Sequence, residues 1–211
     1  MNPSDETEML PALQRRSKEM AERLLNAGER VFSERGFKGA KLSDIAVAAN
    51  CSVGAVYSRF KDKEALFLAI LKRFAAQARA QVTGYLEPAA TREFPTAEIL
   101  RNLVVGIGHT FRRHHGLFRA ILEHGFEDEA ASSVIISLRE HNEAALVAFL
   151  GSRGVAGGPP LDFRVRVALQ MLNGFLFVGL LNRKAPVPIM NEQGLDEVAE
   201  AMVAILGLQE G

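Results

Sequence analysis

Apolar residues recur along most of this chain at intervals of three and four, the spacing that lines one face of an α-helix. Met20, Leu24, Ala27 and Val31 form the first stripe, and Leu25 and Phe32 widen it. Gly36 is placed to stop that helix. A short second helix is predicted over residues 43–49, with Ile45, Ala46 and Ala49 inward, and Asn50 suits the left-handed residue that leaves it. Ser52 is a good N-cap for a third helix reaching Phe60. Asp62 caps a fourth, whose Leu66, Phe67, Ile70, Leu71 and Phe74 lead toward Leu86 and a stop at Pro88. Further helices read over residues 96–115, 117–123, 127–150, 161–182 and 195–206. Gly116, the Gly/Pro-rich stretch 151–160 and Pro186–Pro188 punctuate them. The sequence holds neither an alternating strand pattern nor a repeat. It predicts an all-α fold of about nine helices.

The informative stretch is Leu42–Phe60, LSDIAVAANCSVGAVYSRF. Two short helices joined by a tight turn at Asn50–Ser52 read as a helix-turn-helix, whose second helix enters the DNA major groove. Ile45, Ala46, Ala49, Cys51, Val56 and Phe60 supply the small apolar interior. Ser52, Val53, Gly54 and Ala55 begin a short recognition helix with a small, open N-terminus. Tyr57 and Ser58 offer hydroxyls to phosphates, and Arg59, Lys61 and Lys63 offer charge.

From Leu24 to Phe67 the chain resembles the TetR family. The likeness lies in Leu24-Leu25, Ala27, Val31-Phe32, Glu34-Arg35-Gly36-Phe37, Asp44-Ile45-Ala46, Ala49, Gly54-Ala55-Val56-Tyr57, Phe60 and Lys63-Glu64-Ala65-Leu66. It implies a three-helix DNA-binding domain on a helical domain that binds an effector and dimerises, and a homodimer that leaves its operator when a small molecule binds. Two positions depart from the pattern. Lys41 stands where Thr or Ser is common, though it and Ser43 can each reach a phosphate, and Asn50 stands where the turn usually carries Gly. The chain therefore divides into a flexible tail (1–14), a helix-turn-helix domain (15–61) and an effector-binding and dimerisation domain (62–211).

Composition adds less. Hydrophobic residues are 48% and charged residues 24%, an ordinary globular balance with material for a core. The formal net charge of zero hides an asymmetry. Residues 13–64 carry 11 Lys/Arg against 7 Asp/Glu, while residues 65–211 carry 14 against 15. Positive charge thus sits in the segment that would meet a polyanion. The single Cys51 can form no internal disulfide and reads as a small buried hydrophobe, consistent with a cytoplasmic protein. Residues 1–20 lack the apolar region of a secretory signal, and no run of about 18 uninterrupted apolar residues suggests a membrane span. The five histidines (His109, His114, His115, His124, His141) lack metal-ligand spacing. With no phosphate loop and no nucleophile signature either, no enzyme, cofactor or metal site is expected.

Two expectations concern the second domain. Residues 161–182 are apolar over more than one face, and Gly174 and Gly179 allow close helix approach. With Leu195, Val198, Met202 and Leu206 on the last helix they predict a two-fold homodimer through residues 161–182 and 195–206. An apolar or aromatic effector would lie between the helix from Asp62 and the helices of 96–182. Phe74, Phe111, Phe118, Leu138, Met171 and Phe175 are the candidate liners, and His109, Gln170 and Asn173 the groups that orient a polar atom. The reading is a ligand-responsive transcriptional regulator, most simply a repressor on a palindromic operator. The alternative is a constitutive DNA-binding or adaptor protein without a ligand.

Overall fold

The computed structural model describes residues 3–91, 93–156, 158–181 and 192–208, with side chains from Gln14 onward. These form nine α-helices: α1 (Pro3–Gly39), α2 (Leu42–Ala48), α3 (Val53–Tyr57), α4 (Lys63–Ala89), α5 (Thr96–Arg113), α6 (His115–Ala120), α7 (Glu129–Ser152), α8 (Leu161–Leu181) and α9 (Glu192–Leu206). A π-helical turn, Ile121–Gly125, continues α6. Among the described residues there is no strand.

Side-chain caps set several of the starts. Ser52 Oγ accepts the Ala55 N–H at 3.1 Å, Asp62 Oδ1 that of Ala65 at 2.7 Å, and Asp128 Oδ1 that of Ala131 at 2.7 Å. Each satisfies one of the backbone donors orphaned at a helix start. α2 has no such cap behind Lys41. Its other end is held by Arg30, which donates to the Ala48 carbonyl at 2.9 Å. Asn50 has φ 52°, the left-handed turn residue the sequence requires.

Some boundaries differ from the sequence reading. Helix reaches back to Pro3 through the expected tail, and proline is well suited to a helix's first residue. Pro88 lies inside the last turn of α4 rather than beyond it. Gly116 lies within α6, and the α5–α6 break falls at His114. Gly116 serves proximity instead. A Cβ there would sit 2.0 Å from Ser33 Cα, so only glycine lets α6 cross α1 this closely. The expected stop at Pro186–Pro188 lies outside the described residues.

Burial organises the chain into two cores. The first gathers Leu24, Phe32, Ile45 and Val56 with Leu66, Phe67, Ile70 and Leu71 of α4, and with Leu117, Ala120, Ile121 and Ala131. The second joins the end of α4 to α5, α7, α8 and α9 around Leu100, Leu150, Leu172 and Leu195. The first core thus extends past residue 61. The three N-terminal helices rest on α4, α6 and the π-turn as one packed unit. Each fully buried large side chain contributes about 1.5–3 kcal/mol of transfer free energy, so this shared apolar contact dominates the joint.

Leu161–Leu180 of α8 is long and apolar enough to cross a membrane by length and composition, yet only 28% of it is buried here. Arg164 and Arg166 tie it to its neighbours, and Arg166 also pairs within the helix. The buried Arg164 donates to the Leu206 carbonyl at 2.6 Å, and Arg166 bonds Glu143 at 2.6 Å and Asp162 at 2.8 Å.

Candidate nucleic-acid interface and regulatory core

α2 and α3 are locked before any ligand arrives. The Ile45, Ala46, Ala49 and Val56 side chains are buried against α1, and the Cys51 N–H bonds the Ala46 carbonyl at 3.0 Å to close the turn. Arg35 pairs with Asp44 at 2.6 Å and so fixes α2 to α1. What remains outside is a small polar surface. Lys41, Ser43, Ser52, Val53, Gly54, Tyr57, Ser58, Arg59 and Lys61 are all exposed, and Ala55 is half-buried. Tyr57 is 57% exposed, which places its hydroxyl outside the core. Gly54 meets only Ser52 Oγ near its Cβ direction, at 3.8 Å, so no packing demand explains it.

Two residues depart from the expected surface. Lys63 turns inward, where its Nζ donates to the Phe37 carbonyl at 2.9 Å and lies 4.4 Å from the centre of the Phe37 ring. That internal acceptor and π-face, rather than a phosphate, account for a cation at a helix N-terminus. Arg59 lies past the end of α3. Its guanidinium reaches Ser17 on α1 at 3.3 Å, which turns it toward the flank of the unit and away from the α3 N-terminus. Sequence reasoning also missed Val47, an 81% exposed apolar residue on α2. Its signal was an apolar side chain off the inward stripe of Ile45, Ala46 and Ala49.

Behind this surface, two further sets of hydrogen bonds tie α1 to the helical body. Glu29 accepts from His114 Nδ1 at 2.5 Å and from Arg73 at 3.1 Å, and Arg73 also bonds Glu22 at 2.9 Å and Asn26 at 2.7 Å. The His114 hydrogen bond, with the charges of His114 and Arg73 acting against the opposing effect of burial, holds the Glu29 carboxyl below the usual carboxylate range. In the second set Gly36 turns with φ 68°, and the Phe37 N–H that follows donates to Glu123 of the π-turn at 2.8 Å.

The expected effector liners are not gathered around one space. Phe111 and Phe118 stack with centroids 3.7 Å apart, Phe74 meets Phe118 edge-on at 5.3 Å, and Phe177 meets Phe111 at 5.1 Å. These rings pack on one another. Leu138 packs against the first core and Met171 and Phe175 against the second, while Phe118 touches both. Gln170 and Asn173 lie on the exposed face of α8, and His109 is exposed on α5, so none of the three faces the aromatic centre as expected.

The dimer expectation changes in detail. Leu195, Met202 and Leu206 are buried within their own protomer and Val198 is half-buried, because this stripe packs α9 onto α5 and α8. The outward face of α8 instead carries Phe163, Val167, Gln170, Gly174 and Val178, one stripe at helical spacing. On α9 the exposed positions include Glu197, Ala201 and Ala204.

A short exposed helix, set on two others by a capped and left-handed turn, defines a helix-turn-helix DNA-binding protein with a larger helical body. Comparison with known proteins agrees. A family model described as bacterial regulatory proteins, tetR family, matches residues 24–70. The chain is 30% identical over 169 residues to the HTH-type transcriptional repressor BepR of Brucella suis, across 75% of this chain and 79% of that protein. It is 32% identical over 87 residues to the repressor DhaR of a Mycobacterium strain, a match spanning 41% of this chain and 42% of DhaR. A TetR-family regulator structure from Mesorhizobium loti superposes with a TM-score of 0.71 at 21% identity, covering 90% of this chain and 98% of that one. One from Haloarcula marismortui gives 0.72 at 17% identity, covering 90% and 97%. The chain belongs to the TetR family of helix-turn-helix transcriptional regulators.

Proposed function

We propose that the protein is a homodimeric transcriptional repressor that binds a two-fold symmetric operator through α3 and its flanks and is released by a small-molecule effector. The observation that carries the DNA-binding part is the capped α3 with Val53, Gly54 and Tyr57 exposed on a unit already rigid through α1 and α4. Val53, Gly54 and Ala55 lie where base edges are read. Lys41, Ser43, Ser52, Tyr57, Ser58 and Lys61 lie where phosphates pass. Repression is supported by the names of BepR and DhaR. Dimerisation is supported by the uncovered stripe on α8, which a second copy would bury in a two-fold contact. Two α3 helices would then reach successive major grooves, about 34–36 Å apart.

Effector release is supported by the route from the helical body to α1 through Glu29, His114 and Arg73. A ligand shifts the protein off DNA only if it binds the released form more tightly. The ring-on-ring packing of Phe74, Phe111 and Phe118 favours a second reading, a constitutive DNA-binding protein whose interior holds no ligand. Selection from random DNA, followed by binding titrations over a salt series, tests the first part. An enriched palindrome and a steep salt dependence are expected. Recovery of no enriched site sinks the reading. A screen for compounds that release that site from the protein separates the two forms of it.

A further inference from the structure

We infer that the groove between α4 and α7 binds a small organic oxyanion, a carboxylate or a phosphate monoester with a compact apolar body. The groove has a volume of about 270 Å³. Lys72 and Arg79 of α4 form one rim, and Ser133 and Ser137 of α7 the other. The buried Ala75, the half-buried Val134 and the exposed Ala76 complete the lining. The lining side chains between the two helices are short, Ala75 on α4 and Ser133 and Ser137 on α7. Its volume lies just below the range of about 300–1,000 Å³ usual for small-molecule pockets, so it suits a fragment-sized ligand.

The polar chemistry is one-sided. Lys72 and Arg79 are seven residues apart, two helical turns on one face, about 10 Å along the axis. No lining residue is acidic. Arg35, Arg73, Arg101, Arg119 and Arg166 each meet a carboxylate, whereas Arg30, Arg59, Arg164 and Arg79 bond carbonyl or hydroxyl oxygens. Arg79 meets only Ser137 Oγ, which accepts from its Nη2 at 2.8 Å, and its buried Nε has no acceptor among the described residues. Ser137 accepts that bond and keeps its own O–H to donate. An oxyanion seated beside Arg79 would receive its guanidinium and the Ser137 hydroxyl, charge-assisted bonds of the strong kind, with the Lys72 ammonium adding positive charge from farther along the groove. Ala75 and Val134 would meet its apolar part.

The position suits regulation, and as an effector site it rests on the repressor reading above. Arg73, the neighbour of Lys72 in sequence, carries the bonds from α4 to Glu22, Asn26 and Glu29 of α1. A ligand that draws α4 toward α7 therefore acts on the helix that holds the DNA-binding unit.

Calorimetric titration of the full chain with benzoate, phenyl phosphate and the neutral benzamide tests the site without DNA present. Benzoate or phenyl phosphate should bind saturably, with benzamide at least about tenfold weaker; the preferred anion distinguishes carboxylate from phosphate ligands. Arg79→Gln should weaken the anion by about tenfold or more, and so should Ser133→Glu, which sets a carboxylate on an exposed rim position and leaves the core untouched. The inference is overturned if neither anion binds up to about 10 mM, if benzamide binds equally well, or if both variants bind as the parent does. Failure of the parent chain to bind either anion, with operator binding intact, would sink this site alone. Failure to bind any operator would sink the repressor reading and leave the anion result standing.

Discussion

Phe37 and His124 stack face to face, with ring centroids 4.0 Å apart and planes within 4° of parallel. Phe37 follows the Gly36 kink that interrupts α1, and His124 belongs to the π-turn of the helical body. Glu123, beside that histidine, accepts the Phe37 N–H. Glu123→Ala leaves that partly buried donor without its acceptor. A loss of about 1–3 kcal/mol is expected in urea unfolding, and Glu123→Gln should recover part of it because the amide oxygen still accepts.

Two glycines should respond oppositely to the same change. At Gly116 an added Cβ meets the Ser33 backbone, which cannot step aside, whereas Gly174 has nothing within 4 Å. Gly116→Ala should be strongly destabilising, by more than about 3 kcal/mol, and Gly174→Ala, in mid-helix with open space, should stabilise the protomer by about 0.5–1 kcal/mol. Thermal unfolding of the two variants side by side is the check.

The outward stripe of α8 makes dimerisation testable without damage to the core. Val178 is 56% exposed in the protomer. Val178→Glu should leave helicity and protomer packing intact while shifting sedimentation from dimer to monomer, because a charge would be buried without a partner. A variant that still sediments as the parent does would place the interface elsewhere.

On α3, Tyr57→Phe removes one exposed hydroxyl and should weaken binding to all DNA sequences alike by about 0.5–1.5 kcal/mol. Lys61→Ala should lower the salt slope by about one. Val53→Ala should instead change which sequence a selection returns. Uniform weakening by the Val53 variant would show that this residue reads no base.

Acid should loosen α1. Because the Glu29 carboxyl titrates below the usual range in the folded chain, the unfolded state takes up its proton first. The stability this residue contributes is complete above the ordinary Glu value of about 4.3 and is lost as pH falls through the lower folded value. Glu29→Gln should flatten that limb of the stability curve. Equal slopes for parent and variant between about pH 5 and pH 3 would contradict the assignment.

Helix identities were legible in the sequence because periodicity, caps and breakers are local. Asp62, Ser52 and Asn50 act on groups within a few positions of themselves. The helix-turn-helix was legible for the same reason: α2, the turn and α3 occupy fewer than twenty consecutive residues, Leu42–Tyr57. What a residue meets across the molecule was not. Lys63 reads as a cation at a helix start, and only folding brings the Phe37 carbonyl beneath it. Leu195, Met202 and Leu206 form an apolar stripe whose partner, α5 or a second copy, no sequence pattern specifies. Gln170 and Asn173 could face inward or outward until α8 settled on α7 and α9. Gly116 reads as a breaker, and the crossing of α1 over α6 makes it a contact. The sequence by itself determined which segments are helical and which short helix stands exposed after the turn, since those depend on neighbours along the chain. The tertiary structure decided which faces are spent inside the protomer and which remain outside, because burial is a competition among all the helices at once.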